Sequence, residues 1–179
     1  IKTLRIKNCI SLLGIQEIKT SEFKGKLDKA IWGSSTFLCK TVDSIGLSGG
    51  IASLWDPSTF KCSVTIKGEN FLAMKGTWVA SNLAYGFINV YAPNDPARRK
   101  TLWSNLERVI CSDDNIRWVV FGDFNVVRNK EERFNSQLCP SSAFAFNRFL
   151  HEAELKHFNK RGERFTYMSY VDAKLRKLD

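Results

Sequence analysis

Trp118-Val119-Val120-Phe121-Gly122-Asp123-Phe124-Asn125 decides how this chain is expected to fold. Four apolar residues run into Gly-Asp-x-Asn, a pattern that predicts a buried strand ending in a carboxylate and an amide at the edge of a sheet. The glycine lets the backbone turn sharply there. The Asp can accept a proton, and the Asn can donate to a charged oxygen. Asp and Asn also make plain turns after strands, so the stretch takes its meaning from its neighbours.

Upstream, the pattern is that of a β protein. Ile10 to Ile15 is a short apolar run, predicted as a buried strand ending at Gln16-Glu17. Residues 19–30 are polar and Lys-rich, a loop or surface helix. Phe37 to Val42 is a further strand. Gly46-Leu47-Ser48-Gly49-Gly50 is a turn feeding a strand over Ile51 to Trp55, which Asp56-Pro57 stops. Phe60, Cys62, Val64 and Ile66 alternate on one face of a half-buried strand. Asn70 to Val79 and Ala84 to Tyr91 continue in the same manner.

The period then changes. Asn94-Asp95-Pro96 supplies a cap and a first-turn proline. Leu102, Leu106, Val109 and Ile110 follow at helical spacing. Pro140-Ser141-Ser142 starts a second helix with Phe146, Phe149, Leu150 and Ala153 on its inner face. Arg164 to Tyr170 and a start at Lys174 to Leu178 are read as final strands. Many strands with few helices, and no helix between residues 49 and 91, predict an α+β layered sandwich rather than a doubly wound parallel sheet. With 179 residues and no linker, a single domain over 1–179 is expected.

Composition excludes several classes. Hydrophobic residues make up 44% and charged residues 25%, which is globular. No run approaches the roughly 18 apolar residues of a membrane span, and there is no leader pattern, so secretion is not indicated. The chain starts with Ile, as a processed chain or a piece of a longer one would. The five cysteines (Cys9, Cys39, Cys62, Cys111, Cys139) include no Cys-x-x-Cys pair, so zinc is not expected. Cys9, Cys62 and Cys111 sit in apolar patterns and are expected as buried thiols in a reducing, intracellular compartment. Net charge is +9: residues 1–40 carry +5, 41–127 carry zero and 128–179 carry +4. Basic ends suit a polyanion such as nucleic acid, and equally an ordinary solvated surface.

Four segments carry a resemblance: Gln16-Glu17, Asn89-Val90-Tyr91-Ala92-Pro93-Asn94, Gly122-Asp123-Phe124-Asn125 and Leu178-Asp179. In this order they resemble the endonuclease/exonuclease/phosphatase superfamily, which includes the apurinic/apyrimidinic endonucleases. Gly49-Gly50-Ile51 running into Leu54-Trp55, the Asn-Val-Tyr-Ala-Pro segment and Arg164-Phe165-Thr166-Tyr167 are similar to the endonuclease domains of plant non-LTR retrotransposons. The resemblance spans about Ile10 to Asp179 and implies a layered sandwich of two β-sheets flanked by helices. It implies cleavage of a phosphodiester, most simply DNA nicking, with Mg²⁺ (or Mn²⁺) held by hard oxygen ligands. It implies Glu17 as metal ligand, Asp123 as the residue that activates or orients water, and Asn125 as holding that water or a phosphate oxygen. It further implies Tyr91 near the scissile phosphate, Asn94 and Thr166 at the DNA backbone, and Asp179 beside a catalytic His. DNA, no membrane, and a reverse transcriptase domain in the same polyprotein are the implied partners; nuclear access is expected if the chain is active.

The same comparison marks departures. The family begins with a strand ending in Trp-Asn and closes with an Asp-His pair, and both the first strand and that His are expected to be missing here. Arg176 stands where relatives usually have Ser. Removing one electrostatic stabiliser typically costs about 10²–10³ in rate, so impaired activity, and a marginally stable or self-associating fragment, are expected. His151 and His157 do not occupy the family's catalytic His position. Arg98, Arg99 and Lys100 fit phosphate contacts and a solvated helix end equally. Two alternatives stay open: another superfamily phosphodiesterase or phosphatase, and a catalytically dead nucleic-acid-binding remnant.

Overall fold

In chain order the elements are α1 (Lys2–Lys7), β1 (Leu12–Ile18), a π-helical turn (Phe23–Leu27), α2 (Asp28–Trp32), β2 (Leu38–Val42), β3 (Gly50–Trp55), β4 (Phe60–Gly68), β5 (Phe71–Trp78), β6 (Leu83–Tyr91), α3 (Pro96–Ile110), β7 (Arg117–Asp123), a 3₁₀ turn (Lys130–Glu132), β8 (Arg133–Phe134), α4 (Pro140–Glu152), β9 (Tyr167–Ser169) and β10 (Lys174–Arg176). They come from a computed structural model that describes residues 1–19, 23–34, 36–44, 49–134, 139–157, 167–169 and 174–176. Thr166 and Asp179 lie outside the described residues. The fold class is the expected one, α+β, with layered sheets and flanking helices. The chain divides into two compact units: Ile1–Tyr91 with Asn115–Gly122, and Ala92–Asp114 with Asp123–Asp179.

The first unit contains two sheets, ordered β1-β3-β2 and β4-β5-β6-β7. β3 is central, antiparallel to both β1 and β2, and every one of its residues is buried. Its Ala52 and Leu54 join Phe23 and Trp32 in one apolar cluster. Trp55, from the opposite face, joins Phe60, Met74 and Phe87 in a second cluster. A strand covered on both faces needs a continuous apolar run, and Ile51-Ala52-Ser53-Leu54-Trp55 is nearly that. The described part of the polar stretch 19–30 does more than cover surface: Phe23 is an anchor, Trp32 follows just beyond it as another, and the buried Asp28 accepts from the N–H groups of Gly25 and Lys29.

β4, β5 and β6 form an antiparallel meander. The single apolar face expected for β4 is broken by a register shift between Cys62 and Val64. A bulge adds one residue and so exchanges the faces beyond it. Thr65 therefore lies opposite the buried Met74, and Val64 is 48% exposed. At β7, Gly122 has φ +130°, and a Cβ there would meet the Val90 carbonyl oxygen at 2.1 Å. Only glycine meets both demands. Gly122→Ala is expected to cost at least about 1–3 kcal/mol, read as a lower urea midpoint; an unchanged midpoint would contradict this backbone.

In the second unit, Asp95 caps α3 by accepting from the Arg98 N–H at 2.8 Å, with Pro96 in the first turn. Leu102, Leu106 and Ile110 are buried as expected, and Trp103 joins them. Trp103 stacks on Phe149 (5.3 Å, 15°) and touches Phe146 and Phe124. Arg128 donates through Nε to Asn147 Oδ1, and its carbonyl accepts from the Asn147 amide, both at 3.0 Å. Three very short strands pair in the order β8-β10-β9.

Two expectations need correction. Cys9 and Cys111 are exposed and Cys62 is only half-buried. Cys9 follows α1 with φ +50° and Cys111 caps α3, so both sit at helix ends, where the chain turns out of the apolar pattern. Arg99, read equally as a phosphate contact or part of a solvated helix end, is instead buried, 8% exposed. Among the described residues no helix is long and apolar enough to cross a membrane.

Candidate active site

In the first unit the site residues lie on β1 and β6. β1 carries an irregularity between Ile15 and Ile18, and Glu17 has φ +57°. The left-handed region is unfavourable for a side chain such as Glu, and the neighbouring chain makes room for it: a Cβ on Gly49 would lie 2.4 Å from the Glu17 Cα. The exposed Glu17 carboxylate accepts from the Tyr91 hydroxyl at 2.7 Å. One residue back, Gln16 donates through Nε2 to Asn89 Oδ1. Asn89 has no exposed surface and donates to the Ala52 carbonyl (2.8 Å) and Ser53 Oγ (3.3 Å). Sequence reasoning quoted Asn89 as part of a motif and gave it no role. Its signal was a lone amide inside the apolar run Phe87-Ile88-Asn89-Val90.

In the second unit Asp123 and Asn125 form a closed turn. The Asn125 N–H donates to Asp123 Oδ1 at 2.9 Å, and Asn125 has φ +49°, the Asx-turn geometry these residues favour. The Asn125 amide donates to the Ala92 carbonyl at 2.7 Å, and the Ala92 N–H donates to the Asp123 carbonyl at 2.8 Å. Asn94 is exposed, and Asp95 supplies the cap of α3. Arg99 holds the segment before it: Nη1 donates to the carbonyls of Asn94 (2.7 Å) and Pro93 (3.1 Å), and Nη2 to Ser142 Oγ (3.3 Å). Burial lowers the Arg99 pKa, yet a guanidinium stays charged in proteins. Spent on carbonyls, that charge is a brace and not a phosphate contact. His151 and His157 are exposed.

Cys139 precedes α4 with its thiol 3.5 Å from the Ser141 hydroxyl. Hydrogen bonds from the Ser141 side chain, then from the Ser142 side chain and backbone, bring its pKa down from 9.0 to about 7, with a smaller contribution from the Arg99 charge. The lowered pKa favours the thiolate, the reactive form, at neutral pH. A brief iodoacetamide pulse at pH 7 is expected to label Cys139 ahead of Cys9 and Cys111, read by peptide mass spectrometry; equal labelling would contradict that environment.

The donors can be tested against Mg²⁺. That ion keeps several waters and takes one or two carboxylates together with substrate phosphate oxygens. The exposed Glu17 carboxylate suits such an ion. Among the described residues no three His, Cys, Asp or Glu side chains lie together where they could hold a metal ion.

No family model matches the chain, and no curated protein matches it. Solved structures do. An AP endonuclease, LMAP from Leishmania major, superposes with TM-score 0.66 at 12% identity, over 85% of this chain and 60% of that one. An endonuclease/exonuclease/phosphatase family protein from Bacteroides thetaiotaomicron gives 0.58 at 14%, over 80% and 56%. ANGEL2, a 2′,3′-cyclic phosphatase, gives 0.58 at 16%, over 74% and 46%. The chain thus has the fold of this superfamily and spans about half the length of the solved structures it matches.

Proposed function

We propose that the chain hydrolyses phosphodiesters with Mg²⁺ or Mn²⁺, and that its substrate is DNA, nicked by an endonuclease domain of the plant non-LTR retrotransposon type. The observation that carries this reading is the Tyr91–Glu17 hydrogen bond, which joins the strand-end Glu to the Tyr of Asn-x-Tyr-x-Pro. The ordered motifs and the fold likeness support it.

In this reading Glu17 holds the metal, which when bound supplies positive charge to the phosphate. Tyr91 orients the Glu17 carboxylate through its hydroxyl, near the scissile phosphate. Asp123 takes a proton from the attacking water, and its turn with Asn125 fixes where the carboxylate points. Asn125 spends one amide hydrogen on Ala92 and has a second for a phosphate oxygen. Asn94 and Thr166 contact the DNA backbone. Asp179, by resemblance the Asp that accompanies a catalytic His, would support that group or help to hold the metal. A reverse transcriptase domain in the same polyprotein is the proposed partner.

Nicking of supercoiled plasmid in Mg²⁺, in Mn²⁺ and in EDTA tests the reading, with Glu17→Gln alongside. Metal-dependent nicking that is lost in the variant is expected; a folded chain that nicks equally in EDTA would refute it. The likeness to ANGEL2 favours a second reading, hydrolysis of a different phosphate ester. Turnover of a 2′,3′-cyclic nucleotide without plasmid nicking would select it.

A further inference from the structure

Phe87, Asn89 and Tyr91 alternate onto one face of β6. Phe87 packs in the apolar cluster with Trp55, Phe60 and Met74. Asn89, with no exposed surface, is held by Gln16, Ala52 and Ser53. Tyr91 reaches Glu17. Two consecutive residues of β1, Gln16 and Glu17, therefore bond to two residues on the same face of β6. A regular strand would send Gln16 and Glu17 to opposite faces. The irregularity between Ile15 and Ile18, with Glu17 at φ +57°, removes that conflict.

Burying an amide is costly unless its hydrogen bonds are made, and an apolar side chain at the same place carries no such risk. Gly14 is kept small at the same spot: a Cβ there would lie 2.8 Å from Asn89 Nδ2. A tightly seated amide, bonded to three residues of two other strands, fixes their alignment more narrowly than apolar packing does.

We infer that Asn89 is a positioning residue: by anchoring the Gln16 side chain to β3 and β6 it sets the bulge of β1, and so the direction in which the Glu17 carboxylate meets Tyr91. The inference rests on the reading of Glu17 as metal ligand. Residues that orient a metal-binding group act through it, and their loss typically costs about 10–100-fold in metal affinity or activity.

The test uses the full chain labelled with ¹³Cζ-tyrosine, metal-free, with the Tyr91 resonance identified by Tyr91→Phe. Asn89→Ala and Gln16→Leu are each expected to move that resonance toward its position in Glu17→Ala. Both are expected to raise the Mg²⁺ concentration for half-maximal nicking by about 10–100-fold, with KM for plasmid unchanged. A role in stability alone would lower the melting temperature and leave the Tyr91 resonance in place. An unmoved resonance in a folded variant overturns the inference. If Asn89→Ala does not fold, Gln16→Leu, at a half-buried position, decides. A wild-type chain without metal-dependent activity would sink the functional reading, while the resonance would still decide the positioning role.

Discussion

Asp123→Ala is expected to lower metal-dependent nicking by about 10²–10⁴-fold, the range a positioned acid–base group supplies. The side chain has two duties that can be separated. Its Oδ1 accepts the Asn125 N–H and so shapes the turn; its carboxylate accepts the proton in the proposed reaction. Asp123→Asn keeps an acceptor for the turn and removes the base. If proton acceptance is the main duty, both variants fall together while their melting temperatures differ, with Asn the more stable. Activity that survives in Asp123→Asn would assign the residue to the turn alone.

Trp103→Ala is expected to cost about 3–5 kcal/mol, as large-to-small substitutions of buried aromatics do. The indole is 4% exposed and shares its ring faces and edges with Phe124, Phe146 and Phe149. Its loss would open a cavity between α3 and α4 that three rigid rings cannot collapse to fill. Urea denaturation followed by far-ultraviolet circular dichroism reads the loss. A cost under about 1 kcal/mol, typical of surface positions, would mean that this aromatic cluster is not the core of the second unit.

Much of the fold was legible because its signals are local. The apolar run before Gly122 made β7, the β pattern over 70–79 and 84–91 made β5 and β6, and Asp95-Pro96 opened α3. What could not be read depends on partners distant in sequence. The bulge at Val64 leaves no local mark, since the alternation reads equally well without it. Arg99 is hydrophilic by type, and only the carbonyls of Pro93 and Asn94 make its burial tolerable. Trp103 was missed because the helical face was drawn through Leu102 and Leu106, one position away. For the candidate site, the sequence named Glu17 and Tyr91, and the fold joins them by a hydrogen bond. It missed that Glu17 takes a left-handed backbone and that the Asn125 amide is tied to Ala92, because both depend on which strand lies alongside.

The Asn89 clamp also sets an order in time. β4, β5 and β6 follow one another through turns of a few residues, so their closure entropy is small and such contacts form early. Asn89 lies in that early meander, yet its partners are 36, 37 and 73 residues away. If the meander forms first, the amide stays in water until β3 and β1 pack against β6. Substitution there should leave the folding rate nearly unchanged and speed unfolding, the kinetic signature of a contact made after the barrier is crossed.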